Sequence, residues 1–338
     1  MTHELKELIE TGIIWQKKGV KAVLATVVAL DGSSYRRPGV RMLLSENGKW
    51  VGAVSGGCVE KEVYRQAQSV FKTQKAKVMQ YDGRYRLGCE GTLYILLEFL
   101  NISDSCYQSF QSALIKRDHF KCDSYYHKSP NENSEMGSVL TLGNELFKLS
   151  PSLSLENLDD FDCFSQAFSP VFQLYIFGAE HDAVQLCKMA TQIGWEVHIV
   201  APPDEAKMLE YFTGAKRLIT PTFDNTDAYD LDEDSAVILM THSFNKDVQY
   251  LMALKDVHPT YFGILGPIHR RERLFSQFLE YFPDTPLEFF ERIHGPAGIN
   301  IGAESASEIA VSILAEILTV IRQQQPIFLR DKIGHIHG

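Results

Sequence analysis

VFQLYIFGAEHDAVQLCKMATQIGWEVHIV, residues 171–200, runs from an apolar stretch through a glycine turn and an amphipathic segment into a second apolar stretch. Val171–Phe177 has the unbroken apolar character of a strand covered on both faces. Gly178-Ala179-Glu180-His181 reads as a turn, and Asp182–Ile193 as a helix that stops at Gly194. Trp195–Val200 is the next strand. Strand, helix and strand at this spacing make a parallel pair joined by a right-handed crossover. Ala236–Thr241 (AVILMT) and Tyr261–Leu265 (YFGIL) add two more strands. Residues 170–325 are therefore expected to form a Rossmann-like domain with a parallel sheet. The last helix should begin near Ser305, whose spacing to Glu308 fits a capping box, and continue through EIAVSILAEILTVI. The tail GHIHG is expected to fray.

Upstream, a different pattern holds. Leu5, Leu8, Ile9 and Ile13 recur at helical spacing, and Ala22–Leu30 (AVLATVVAL) is a buried strand. Arg41–Leu44 and Trp50–Val54 read as a hairpin around Glu46-Asn47-Gly48. A helix from about Cys58 to Val70 and strands Lys77–Tyr81 and Thr92–Leu100 complete one mixed α/β unit, residues 1–155. Beyond it a helix near Ser105–Lys116 and short strands are expected. The polar, acidic stretch 149–170, LSPSLSLENLDDFDCFSQAFSP, reads as an interdomain linker.

The 338 residues suffice for two cores, and a formal net charge of -10 argues against nucleic acid or an anionic membrane as the main partner. An anionic ligand would need a local basic cluster. No stretch reaches the roughly 18 apolar residues of a membrane span, and the amino terminus lacks a signal peptide's apolar core, so the cytoplasm is expected. The six cysteines contain no C-x-x-C pair, which reads as free thiols and excludes a zinc motif.

Ser55-Gly56-Gly57-Cys58 sits between a strand and a helix. Unpaired amides and the helix dipole there favour a thiolate, and paired glycines admit a ligand close to the backbone. A packed, inert cysteine beside a tight turn is the alternative. Asp31-Gly-Ser33-Ser34-Tyr-Arg36-Arg37-Pro-Gly39 with Arg41 supplies hydroxyls and guanidinium forks suited to an oxyanion; the alternative is a solvated turn paired with carboxylates. Cys89, flanked by Gly88 and Glu90-Gly91, is a second glycine-bordered thiol that would form a two-thiol site if it met Cys58, and is otherwise a packing residue. At Gly178-Ala179-Glu180, a carboxylate replaces the middle glycine of the dinucleotide fingerprint. His181, His242 and His269 fall at the carboxyl ends of expected strands. With no His-x-x-His and no paired carboxylates, no metal site is assigned.

GSSYRRPGVRM (32–42), VSGGCVEKEV (54–63), IFGAEHDA (176–183), MTHSFNKD (240–247), YFGILGPIHRRERL (261–274) and HGPAGINIGAESASEIAVSILAEI (294–317) together resemble the XdhC/CoxI family, accessory factors of xanthine dehydrogenase and related molybdenum hydroxylases. The resemblance implies a cofactor chaperone rather than a catalyst. Such a protein would bind molybdenum cofactor (molybdopterin) transiently, assist its sulfuration with a cysteine desulfurase, and deliver it to a hydroxylase apo-enzyme. A homodimer is left open. The family cysteine falls on Cys58, as thiolate ligand or sulfur relay. Ser33, Ser34, Arg36, Arg37, Arg41, Ser55, Gly56, Gly57 and Cys89 would surround the cofactor, with Gly178, His181 and His242 in the second domain. The chain departs from the family's usual G-A-G-H at Glu180, C-G-G at Glu90, T-H-D-H at Ser243-Phe244, and Gly-Ser at Pro267. A nicotinamide-dependent oxidoreductase using the Rossmann-like domain is the rival reading.

Overall fold

The computed structural model describes residues 2–334 except 33–36, 56–57, 83–90, 129–131, 134, 152, 157, 203–204 and 222–228; for Cys58, Glu132 and Asn133 it describes the backbone alone. The chain divides into two compact units, Met1–Pro170 and Val171–Gly338.

The first unit runs α1 (Thr2–Lys17), β1 (Ala22–Asp31), β2 (Arg41–Ser45), β3 (Trp50–Gly52), α2 (Cys58–Thr73), β4 (Ala76–Asp82), β5 (Thr92–Leu100), α3 (Asp104–Lys116), β6 (Phe120–Tyr126), β7 (Glu132–Asn133), β8 (Gly137–Leu142), β9 (Glu145–Lys148) and β10 (Asp162–Phe168). An antiparallel sheet has the order β3-β2-β1-β5-β4-β7, and a second, four-stranded sheet has the order β10-β6-β8-β9. Strand β1 reads as a continuous apolar run because both of its faces are covered. Val23, Ala25 and Val27 pack with Val59, Val63, Ala67 and Val70 of α2. Ala22 and Leu24 face the other way, into a cluster with Leu5, Leu8, Ile9 and Ile13 of α1 and Phe110 of α3. Burying each valine, leucine, isoleucine or phenylalanine among them contributes about 1.5–3 kcal/mol, so these three helices are held by tertiary packing more than by propensity.

Residues 149–170 are not a linker. Asp162–Phe168 pair in full register with Phe120–Tyr126, and Phe168 stacks on Phe120 at 5.1 Å. Only Phe168 of that strand is buried. An edge strand with so much exposed surface has a polar composition, which is what made it resemble connecting chain.

The second unit runs β11 (Gln173–Phe177), α4 (His181–Gln192), β12 (Glu196–Val200), β13 (Arg217–Ile219), β14 (Ser235–Leu239), α5 (Phe244–Ala253), β15 (Tyr261–Ile264), α6 (Ile268–Tyr281), α7 (Leu287–Glu291), β16 (Ile293–His294) and α8 (Ala306–Arg322). All six strands are parallel, in the order β13-β12-β11-β14-β15-β16. Counted along the unit, that is the 3-2-1-4-5-6 order of a Rossmann fold. One face is covered by α4 and α8, the other by α5, α6 and α7. Ser305 caps α8 as expected: its hydroxyl accepts from the Glu308 amide, and Glu308 accepts from the Ser305 amide at 2.8 Å. Farther along α8, Glu316 accepts hydrogen bonds from the Gly298 amide (2.7 Å), His294 Nδ1 (3.1 Å) and the Tyr261 hydroxyl. Burial alone would raise the pKa of Glu316, but these bonds outweigh it and hold the carboxyl below its ordinary value. The helix is thereby fastened to the two strands at the sheet's edge.

Candidate functional site

Cys58 is the first residue of α2, a 16-residue helix, so its backbone lies where helix amides are unpaired and the dipole is positive. The approach to it is braced from both sides. Val54 and Val59 are fully buried anchors. Directly after Val59, Glu60 is 4% exposed and accepts a hydrogen bond from the Ser55 amide at 2.7 Å. A carboxylate in the first turn reaching back to the preceding loop satisfies one orphan donor and fixes the entry of the chain. Ser33, Ser34, Arg36, Gly56, Gly57 and Cys89 lie outside the described residues, as does the thiol of Cys58.

The described parts of the two loops meet at one cavity of about 490 Å³, lined by Pro38, Gly39, Val40 and Arg41 from one side and Gly52 and Ala53 from the other. Gln166 of β10 and Glu4 and Glu7 of α1 also line it. Glycine is required at two of these positions. Gly52 has φ +76°, and a Cβ there would lie 2.7 Å from the Arg41 carbonyl oxygen. Gly39 has φ +99° and would press a Cβ on the Gln166 amide at 3.0 Å.

Arg37 is exposed. Arg41 lines the cavity and is also tied into the packing beneath it. It is 8% exposed; its Nη1 donates to the Gly39 carbonyl at 3.0 Å and to Gln166 Oε1, and its guanidinium lies 5.5 Å from the Phe168 ring. Its Nε and Nη2 are buried without a hydrogen-bond partner among the described residues. The side chain therefore turns inward, bracing the loop 37–41 against β10 at the wall of the cavity that Arg41 and Gln166 both line. The hydrophobic spacing of the sequence carries no signal for that inward turn, because it depends on β10 arriving from 125 residues away.

Of the other described thiols, Cys106, Cys122 and Cys187 are buried packing residues and Cys163 is exposed on β10. Burial pushes Cys106 up to about 12 and Cys122 and Cys187 up to about 11, and it raises Cys163 as well. All four are protonated at neutral pH and so are poor nucleophiles.

In the second unit, the strand order reverses between β11 and β14, the position where Rossmann sheets open a ligand crevice. Gly178 ends β11 with φ +139°, and a Cβ there would collide with the Met240 carbonyl, so glycine is demanded by the close approach of the two strand ends. Around this crevice, His242 Nε2 lies 2.9 Å from Asp182 Oδ2, and Lys207 pairs with Glu180 at 3.2 Å. Thus the first turn of α4 and its cap present two carboxylates where a pyrophosphate would rest. His181 is exposed; the structure brings His242 to Asp182.

Sequence reasoning missed a neighbouring network. Asp247, 1% exposed, accepts from the Thr241 amide (3.2 Å) and hydroxyl (2.6 Å) and from Arg270 Nη2 (2.7 Å). Arg270 and Arg273 lie 6.0 and 4.9 Å from the Phe244 ring. The one signal in the sequence was the basic run His269-Arg270-Arg271 following a strand; Asp247 gave none, since an acid in a helix reads as surface. Among the described residues no cluster of three His, Cys, Asp or Glu could hold a metal ion, and no helix is long and apolar enough to cross a membrane.

An antiparallel unit with a cavity and a cysteine opening a helix a few residues beyond its lining loop, followed by a Rossmann-type unit, defines a two-unit α/β protein with a candidate thiol site in its first half. Family profiles described as "XdhC and CoxI family" and "XdhC Rossmann domain" match residues 15–82 and 174–317, well over half of the chain between them. The chain belongs to the XdhC and CoxI family. It is 28% identical over 316 residues to a Bacillus subtilis protein described as a probable xanthine dehydrogenase subunit; the match covers 88% of this chain and 92% of the relative. It is 24% identical over 330 residues to the Escherichia coli molybdenum cofactor insertion chaperone PaoD, covering 96% and 91%. A crystal structure from Bacillus halodurans, described as a xanthine dehydrogenase, superposes with a TM-score of 0.75 at 27% identity over 94% of this chain and 96% of its own.

Proposed function

We propose that this chain is an accessory factor that receives molybdenum cofactor as cargo and inserts it into a xanthine dehydrogenase-type hydroxylase. The observation that carries this reading is the convergence of the loops 37–41 and 52–53 on one cavity, a few residues before the helix that Cys58 opens. The relatives' names supply the cargo. The donor set suits it. A thiolate is a soft ligand for molybdenum, and a helix amino terminus with arginines nearby favours the phosphate of a pterin. In this reading Cys58 holds or passes the metal end. Ser33, Ser34, Arg36, Arg37, Ser55 and the amides of Gly56 and Gly57 receive the anionic end. Arg41 acts through the loop it braces and through its charge. Cys89 is a further candidate thiol, and sulfur donation by a cysteine desulfurase partner is proposed on Cys58 as well.

The second unit's part is proposed to be partner and cargo positioning at the crevice of Gly178, His181 and His242. The test is anaerobic purification of the full chain from a host that makes the cofactor, followed by molybdenum and pterin analysis. Parent protein should carry both; Cys58→Ala should carry less than a tenth as much while retaining the parent's circular dichroism, a loss of at least about 1.4 kcal/mol in binding. Equal loading of parent and variant would sink the role of the thiol, and absence of pterin from both would sink the cargo.

A further inference from the structure

Ile327, Phe328, Leu329 and Ile333 are 57%, 69%, 64% and 99% exposed, in a described segment that follows α8. Apolar residues so placed, four within seven positions, form a patch of the kind that marks an interaction site. Their position in the fold is defined. Ser312 of α8 bonds to Ile299 in the loop beyond β16, and Glu316, one turn on, bonds to Tyr261 at the start of β15. The helix therefore descends from the carboxyl ends of the strands, and the tail leaves at their amino ends.

A pocket of about 690 Å³ opens at that same edge of the sheet. Lys255 and His258 precede β15, and Phe282 to Pro286 follow α6, which also returns to this edge. Phe278, Phe282 and Phe289 form its apolar wall. Asp284 and Glu288, exposed on its rim, have no ion-pair partner among the described residues. The pocket's own cations are engaged: Arg292 bonds to the Lys255 carbonyl at 3.1 Å and to His258, and Lys255 pairs with Asp256 at 2.5 Å. The rim is thus left net acidic. The tail carries Arg330 directly after its apolar triplet, 78% exposed, 4.8 Å from the Phe328 ring and only loosely paired with Asp331 at 3.8 Å; none of the tail's described residues lines the pocket of its own copy.

We propose that two copies of this chain exchange carboxyl-terminal tails, Ile327–Leu329 of each seating in the aromatic pocket of the other with Arg330 against the acidic rim. A second copy is the occupant because both halves of the joint, apolar insert with cation and apolar socket with anions, are present on one chain and at one edge. Exchange between identical copies makes the joint twice and closes a two-fold dimer. The opposite edge, where Gly178 and His242 lie, stays open, and the inference does not depend on the cargo assigned above.

Sedimentation velocity of the full chain over ~1–100 µM, a range covering ordinary self-association, tests it. The expected species is twice the 38.2 kDa chain mass. Truncation after Gln325, Phe328→Asp, and the pocket pair Asp284→Lys with Glu288→Lys should each weaken association at least ~100-fold. All of these sites are exposed, so each variant should melt like the parent; two independent tail variants guard against one that does not. Adding Arg330→Glu to the pocket pair should recover at least ~10-fold of the lost affinity, as charge complementarity requires. A full chain that stays monomeric through 100 µM, roughly the weak limit for such joints, overturns the proposal. So does a dimer whose dissociation constant survives truncation, or tail and pocket variants that do not rescue one another.

Discussion

His198 shows what a single residue contributes when its environment denies it a proton. It is 1% exposed, stacks on Tyr175 at 4.5 Å, and neither ring nitrogen has a hydrogen-bond partner among the described residues. Burial, with Arg217 and Lys216 adding repulsion, pulls its pKa from 6.5 down to about 4. The folded state therefore binds the proton less readily than the unfolded chain. Its contribution is fully present above pH 6.5, falls as the pH drops toward 4, and is flat below. Between pH 7 and pH 5 the parent should lose about 2 kcal/mol more stability than His198→Phe, which keeps the ring stack and has nothing to protonate. Urea midpoints at the two pH values measure this; equal losses would show that His198 does not titrate across folding. Gly178→Ala is a second single-residue case. Positive φ and the Met240 carbonyl leave no room for a methyl, so the expected cost is about 1–3 kcal/mol, read as a lower midpoint in the same titration. The glycine was visible in the sequence as part of a turn after a strand. Its obligatory nature was not, since the colliding carbonyl comes from another strand.

Elements were legible in proportion to how regularly they repeat. Strand β1, the hairpin of β2 and β3, α8 and the β11–α4–β12 unit could be read from periodicity and caps. The cap of α8 makes a specific expectation: Ser305→Ala should cost about 1 kcal/mol and speed amide exchange in the first turn of α8 beyond its effect elsewhere. Strand β10 escaped detection because its solvent-facing residues dilute the apolar alternation, and β16 because it has only two residues. Helices α5 and α6 depend on packing that one-dimensional patterns do not expose. They are joined by Asp247 and Arg270. Asp247→Ala would leave Arg270, 23% exposed, and the Thr241 amide without their acceptor. A loss of about 2–3 kcal/mol is expected, below the full cost of a broken buried pair because water reaches the guanidinium. Asp247→Asn should lose less, as it still accepts from Thr241; a denaturation series of the two variants separates charge from hydrogen bonding.

For the whole molecule, the 3-2-1-4-5-6 sheet makes a nicotinamide dinucleotide the obvious ligand to try. A nucleotide held at ~100 times its dissociation constant would stabilise the native chain by about 2.7 kcal/mol. With Glu180 and Asp182 at the crevice, repulsion of a pyrophosphate should remove that effect. Thermal-shift titrations with NAD(H) and NADP(H) are expected to show no saturable rise, and a saturable one would revive the oxidoreductase reading. Fold order alone does not decide function, because a shared sheet can carry different sites.

Local chemistry in the sequence determined the α/β class, the Rossmann-like half, the capped final helix and the family, since each depends on neighbours within a few turns of chain. Tertiary structure decided what depends on residues far apart. It made 162–168 a strand by supplying a partner, turned Arg41 inward by bringing Gln166 and Phe168 to it, and set His242 against Asp182. A charged side chain's role follows from the partners and the dielectric around it, and those are fixed only when distant segments pack together.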